Sequence, residues 1–319
     1  GATESDNLAI FGAARYLADQ GRHVITSRVE HKAVLDAFSQ LEANGFEVTW
    51  LAPDACGRIS AQAVSDALRD DTTLVSVMWV NNELGVINDI AGIADVLAGH
   101  RALLHVDAAQ AFGKLPIDLT RVPVDLLSLT AHKAYGPKGI GALYVAPRDG
   151  VNLRPMLFGG GQQNGVRPGT LATHQIAGFG AAAHLVSERL HADAAHLRSL
   201  GLQLQQQLLA VPGVRLNGAQ AERLPGIVNV SVDGVHGAAL FAGMQPVALA
   251  TGSACNSTHS EPSFVLKALG HSDALAESSL RFSAGRFTTA ADIDVATSRF
   301  EQVVTALRRI AGPLTEVVG

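Results

Sequence analysis

Two hydrophobic periods alternate through the first half of the chain, and that alternation restricts the possible folds more than any other feature. Apolar, β-branched runs fall at 23–26, 47–51, 74–78, 103–106, 124–129 and 142–145. Between most of them lie helix-length stretches whose apolar residues recur every three or four positions. Val34, Leu35, Phe38 and Leu41 form one such stripe; Ile90, Ile93, Ala94 and Leu97 form another. Strands alternating with helices need crossover connections, so the expected fold is α/β, a mostly parallel sheet sandwiched by helices. Ligands of such sheets collect outside the carboxyl ends of the strands, which directs attention to the residues just after each run.

The pattern changes near Thr170. A long helical stretch passes through 181–183 and 197–209 and ends near Pro212-Gly213. Short strands at 228–232 and 280–283 then mix with helices near 263–269 and 291–310. This predicts a large domain over 1–190 and a smaller α+β domain over 191–319. The chain opens at Gly1 without a Met and reads as a trimmed length of a longer sequence.

Composition narrows the function classes. With 24 Lys+Arg against 29 Asp+Glu the net charge is −5, which gives no broad field for nucleic acid or an anionic membrane. Aromatic residues are only 5%, too few to favour stacking platforms for single strands. Apolar stretches stay shorter than the ~18 residues of a spanning helix. Two cysteines, Cys56 and Cys255, make no disulfide framework, so a reducing cytoplasm is the expected location.

Lysine is scarce, confined to Lys32, Lys114, Lys133, Lys138 and Lys267. Lys133 follows an apolar strand directly, where a partly desolvated amine can form a Schiff base. Lys138 competes for that role, but its Gly-Pro-Lys-Gly turn suggests a solvated side chain. One unit earlier, Asp107 closes the run Leu104-His105-Val106-Asp107; a buried carboxylate there needs a partner, such as a helix cap, an arginine or the pyridinium of pyridoxal 5′-phosphate (PLP). Gly1-Ala2-Thr3, read as preceding a helix that begins near Asp6, and Thr130 with His132 offer donors for a phosphate. His31 opens the helix after the first strand and could stack on a flat ring, work as an acid or base, or simply be exposed. Cys255 sits among small polar residues, a setting suited to a thiolate that attacks and hands on its cargo, although an isolated cysteine is commonly structural. Cys255 and His259 lack the further partners of a closed metal site, so no metal is expected. Cys56 reads as an ordinary loop residue. Arg281, on a short strand of the second domain, is able to clamp a carboxylate.

Taken together, the stretches Gly1-Ala2-Thr3-Glu4-Ser5-Asp6-Asn7, Glu30-His31-Lys32-Ala33-Val34, Asn81-Asn82-Glu83-Leu84-Gly85, His105-Val106-Asp107-Ala108-Ala109-Gln110, His132-Lys133-Ala134-Tyr135-Gly136-Pro137-Lys138-Gly139, Gly159-Gly160-Gly161-Gln162, Arg167-Pro168-Gly169-Thr170 and Gly252-Ser253-Ala254-Cys255 occur in order. Their sequence resembles the class V PLP enzymes, specifically the cysteine desulfurases of the iron–sulfur cluster assembly type. The resemblance covers nearly the whole chain and implies a fold-type I large domain that binds PLP. It implies that Lys133 is the Schiff-base lysine, that Asp107 pairs with the pyridine nitrogen and that His31 stacks on the ring. Asn82 and Gln110 would contact ring substituents, and Asn82 also the substrate. Ala2, Thr3, Thr130 and His132 would hold the phosphate, and Thr170 would reach the phosphate of a partner subunit, implying a homodimer. Arg281 would hold the substrate carboxylate, and Cys255 would take the sulfur of L-cysteine as a persulfide, leaving L-alanine, for transfer to an acceptor protein. Thr130-Ala131 replaces the family's more usual Ser-Gly, retaining the hydroxyl. Two other readings use the same residues: another class V lyase or aminotransferase, such as a selenocysteine lyase, and an inactive subunit that only dimerises or binds a partner.

Overall fold

The structure, a computed structural model, describes residues 1–251 and 262–311. These divide into two compact units. The first takes Gly1–Asp54, Arg58–Asn82 and Ile87–His191; the second takes Ala55–Gly57, Glu83–Val86 and the chain from Ala192.

The first unit opens with helix α1 (Ala2–Tyr16) and continues β1 (His23–Ser27), α2 (Lys32–Ala43), β2 (Glu47–Leu51), α3 (Ala61–Ala67), β3 (Thr72–Ser76), α4 (Ile90–Val96), β4 (Leu103–Asp107), β5 (Leu126–Thr130) and β6 (Gly141–Val145). The strands form one sheet in the order β2-β1-β3-β4-β5-β6. Every neighbouring pair is parallel except β5 and β6, which run antiparallel. β1, β3 and β4 are buried along their whole length, their apolar residues interspersed with buried polar ones such as His23, Thr26, Thr72, Ser76 and His105. One core forms where Leu8, Phe11 and Ala14 of α1 and Val34, Phe38 and Leu41 of α2 meet Val24, Leu74, Leu103 and Leu126 of the sheet. The chain reverses its order of travel between β1 and β3, so the crevice outside their carboxyl ends is a topological switch point.

Helix α5 (Thr173–Leu209) runs 37 residues, from the first unit into the second. The second unit adds β7 (Val214–Leu216), β8 (Ile227–Val232), α6 (Gly237–Gly243), α7 (Phe264–Ala268), α8 (Asp273–Glu277), β9 (Ser279–Ser283) and α9 (Ala290–Ala311). Its three strands form an antiparallel sheet, β7-β8-β9. Leu200, Leu204 and Leu208 of α5, Val228, Val230 and Val232 of β8, Phe282 of β9 and Phe300 of α9 make its core. Among the described residues no helix is long and apolar enough to cross a membrane.

Two expectations need correction. The first helix begins at Ala2 rather than near Asp6, so Ala2 and Thr3 lie inside its first turn. The third run pairs as Thr72–Ser76 rather than 74–78, because Val77 and Met78, though buried, continue past the ladder toward the carboxyl edge.

Candidate active site

The carboxyl edge of the parallel sheet gathers polar groups from four strands. β4 ends on Asp107, a buried residue whose Oδ1 accepts the Ala109 N–H at 2.8 Å while its backbone oxygen accepts the Trp79 N–H at 2.9 Å. β5 ends on Thr130 and leads into a single 3-10 turn, His132–Ala134. Ala131 and Ala134 of this turn are buried, and Tyr135 closes it in the left-handed conformation. Lys133 is half-buried there, whereas Lys138 is exposed, so the two candidate lysines separate as their surroundings suggested.

His31 caps helix α2, its Nδ1 accepting the Ala33 N–H at 3.1 Å, which fixes the ring and leaves the proton of the neutral form on Nε2. Burial lowers its pKa first of all; the Asp107 charge opposes this and the Lys133 charge adds to it. Asp107, Lys133 and His31, which come from β4, the turn after β5 and the turn after β1, thus lie within electrostatic reach of one another.

Two further carboxyls lie beneath this group. Glu30 is completely buried; its Oε1 accepts from Ser27 Oγ at 2.6 Å and from the Met78 N–H at 3.1 Å. Burial pushes its pKa up to about 8, with the Asp107 charge adding to that and the two hydrogen bonds opposing it. Asp6 of α1 is raised well above the usual carboxylate range, by burial and then by the Asp107 charge, against Ser128 and Lys133. His105, two residues before Asp107 on β4, lies between Ser76 Oγ at 2.8 Å and Ser128 Oγ at 3.0 Å, and Asp6 Oδ1 lies 3.6 Å away. Its complete burial drives its pKa down to about 3, so it is a neutral ring at every pH of interest. Glu30, protonated at neutral pH, adds no charge beside Asp107, and burial pushes the Asp6 carboxyl in the same direction, toward its neutral form.

Glu30 also ties two loops together. Its bond to Met78 joins the turn after β1 to the loop after β3, and Asn81 Nδ2 donates to the Val29 oxygen at 2.9 Å across the same gap. The half-buried Asn82 follows in that loop. Gln110, also half-buried, accepts from Lys114 Nζ at 2.9 Å.

The start of α1 lies beside Thr130 and His132. Gly1 is the N-cap, with no side-chain cap, so the first N–H groups have no acceptor within the helix. A Cβ on Gly1 would lie 3.7 Å from Thr130 Oγ1, which itself is 2.9 Å from His132 Nδ1. Gly141 at the start of β6 is forced by this approach: its Cβ would fall 2.6 Å from the Leu129 oxygen and 2.7 Å from the Gly1 carbonyl carbon. The pKa of His132 is lowered by partial burial, then by the charges of Lys133, Lys138 and Lys114 among others, which marks a region of positive potential. Thr170 is exposed, and nearby Arg167 Nε donates to Glu4 Oε1 of α1 at 2.7 Å.

In the second unit Arg281 is half-buried on β9, directly opposite Asn229 of β8. Cys56 is half-buried in the same unit, and Cys255 lies outside the described residues. Reading the sequence for exposed chemistry passed over Asp6, Glu30 and His105. The available signal was position: each is polar and lies inside a motif, Asp6 and Glu30 close to candidates and His105 on the same strand face as Asp107.

The donor set fits PLP. A half-buried amine suits the aldehyde carbon, a buried carboxylate the pyridinium, a fixed neutral imidazole the ring face, and a helix N-terminus with Thr130 and His132 the phosphate. A mostly parallel sheet with this set at its carboxyl edge defines a PLP-dependent enzyme of the α/β class. The chain belongs to the aminotransferase class-V family, whose model matches residues 1–295. The cysteine desulfurase IscS of Methylococcus capsulatus is 50% identical over 317 residues, covering 99% of this chain and 78% of that protein. Among solved structures, a NifS-like protein superposes with a TM-score of 0.87 at 31% identity, covering 96% of this chain and 81% of that one. A structure described as SspA in complex with cysteine superposes with a TM-score of 0.78 at 38% identity, covering 91% of this chain and 81% of that one.

Proposed function

We propose that this chain is a PLP-dependent cysteine desulfurase that converts L-cysteine to L-alanine and carries the sulfur away on Cys255. The observation that carries the reading is the convergence of Asp107, Lys133 and His31 at one sheet edge in a chain half identical to a cysteine desulfurase. Bound there, PLP supplies an electron-withdrawing ring that takes up charge as the substrate α-proton leaves.

The chain's own residues do the rest. Asp107 holds the pyridine nitrogen protonated, and burial makes its charge effective. Thr130, His132 and the α1 N-terminus at Ala2 and Thr3 fix the phosphate, while Asn82 and Gln110 orient the ring. His31, neutral and fixed by its cap, offers a flat face. Lys133 would hold the PLP aldehyde carbon through Nζ, and its free amine would accept the substrate α-proton. Arg281 holds the substrate carboxylate. The Cys255 thiolate attacks the substrate sulfur, so an S–S bond forms as the C–S bond breaks, and protonation of the remaining three-carbon fragment gives alanine.

Thr170 is exposed, as a residue that completes a second subunit's phosphate site must be, and we read the enzyme as a homodimer. A sulfur-acceptor protein is the expected recipient of the persulfide, and the two-cysteine composition suits the cytoplasm. The test is incubation of the PLP-loaded enzyme with L-cysteine, followed by mass spectrometry of the protein and assay of alanine. A gain of one sulfur at Cys255, with alanine formed, is expected. Undiminished alanine production by Cys255→Ser would overturn the assignment of the acceptor thiol.

A further inference from the structure

Glu83 is 2% exposed, in a position where burying a carboxylate is costly without a compensating charge. Three elements of the second unit meet it. Ser263, the N-cap of α7, accepts the Leu266 N–H at 3.2 Å and spends its own proton on Glu83 Oε2 at 2.5 Å. From β8, Asn229 Nδ2 donates to the Glu83 backbone oxygen at 3.1 Å. Asn229 is the direct cross-strand partner of Arg281 on β9, so the two side chains leave the same face of the small sheet. The charge facing Glu83 is therefore the Arg281 guanidinium. The Arg281 backbone is pinned as well, by an antiparallel bridge to Ala250 with N···O distances of 2.9 and 3.4 Å.

We infer that Glu83 is a positioning residue that acts through Arg281: its carboxylate competes with the carboxylate of the substrate for the same guanidinium, so that substrate capture is linked to protonation of Glu83. The inference rests on the reading of Arg281 as the carboxylate anchor. When Glu83 is ionised, Arg281 is already neutralised and held toward it. When Glu83 is protonated, it keeps its Ser263 bond and leaves the guanidinium charge to the ligand. Burial lifts the Glu83 carboxyl to about 7, against the opposing pull of Ser263 and Arg281, so the exchange falls in the working range. Arrival of a second carboxylate on Arg281 raises that value further, and the protein takes up a proton as the substrate binds.

Two measurements on the PLP-loaded enzyme test this. The first compares KM for L-cysteine in the wild type and in Glu83→Gln from pH 6 to pH 8. Gln retains an oxygen for Ser263 and mimics the protonated acid. The KM ratio of wild type to variant is expected to rise about tenfold across that range, the limit for one proton competing from a carboxyl at about 7. A constant ratio overturns the role of Glu83. The second needs only the wild type: calorimetric titration at pH 8 with 3-mercaptopropionate, in two buffers of different ionisation enthalpy. Uptake approaching one proton per ligand is expected, and zero uptake overturns the linkage. Arg281→Ala separates the two levels of the argument. If it raises KM while the Glu83→Gln ratio stays flat, the anchor stands and the competitor falls. If it leaves KM unchanged at every pH, the anchor falls and takes this inference with it.

Discussion

The buried carboxyl of Glu30 makes a quantitative prediction about stability. Burial holds its pKa at about 8 in the folded chain, against an ordinary value of 4.5. Between those two pH values the folded protein binds a proton that the unfolded chain has lost. Stability must therefore fall as pH rises, by about 1.4 kcal/mol per pH unit while the difference lasts. From pH 5 to pH 8 the loss amounts to about 3–4 kcal/mol, allowing for the flattening of the curve at each end. That is a large share of the ~5–15 kcal/mol that holds a domain together. Glu30→Gln removes the titration but keeps an oxygen for the Ser27 hydroxyl and the Met78 N–H. Urea unfolding of both proteins at pH 5, 6, 7 and 8, with the wild-type stability subtracted from that of the variant at each pH, isolates this group from all others. The difference is expected to grow in favour of Gln by the amount above. A difference that stays constant across the series refutes the claim that Glu30 is folded in its protonated form.

Two other perturbations probe the same edge. His105→Leu leaves the buried Ser76 and Ser128 hydroxyls without their shared ring and should cost about 2–4 kcal/mol in urea unfolding; a loss below 1 kcal/mol would mean the network contributes little. Gly141→Ala drives a methyl into the Gly1 and Leu129 backbone, which should displace the α1 N-terminus from Thr130 and weaken PLP binding at least tenfold, about 1.4 kcal/mol, in a fluorescence titration. Unchanged PLP affinity would remove this helix start from the phosphate site.

The strands were legible because their runs are apolar and β-branched and because a parallel sheet buries both faces. Direction was less so. The last run of the large sheet turned out antiparallel, and the chain did carry a sign of it: the ten residues from Ala131 to Ile140 between β5 and β6, with their Gly-Pro turn, leave no room for a crossover. Short elements escaped for lack of periodicity. α3 has seven residues and is announced chiefly by its Ser60 cap, and β7 has only three. The start of α1 was misplaced because Gly-Ala-Thr offers no capping side chain before the helix. At the site, position at a strand end marked Asp107, Lys133 and His31 as candidates, while their roles came from the resemblance of the ordered motifs rather than from position alone. Burial was readable for Asp107, which closes an apolar run, but not for the other carboxyls: Asp6, Glu30 and Glu83 look like any acid in a polar motif, and only the packed structure reveals that they are out of water.

The central claim is that the Lys133 amine is the covalent attachment point of PLP. Reducing the PLP-loaded enzyme with borohydride and mapping the pyridoxyl group by peptide mass spectrometry tests it directly. The label is expected on Lys133, with visible absorbance abolished in Lys133→Ala and retained in Lys138→Ala. A label on Lys138, or an intact visible spectrum in Lys133→Ala, would contradict it.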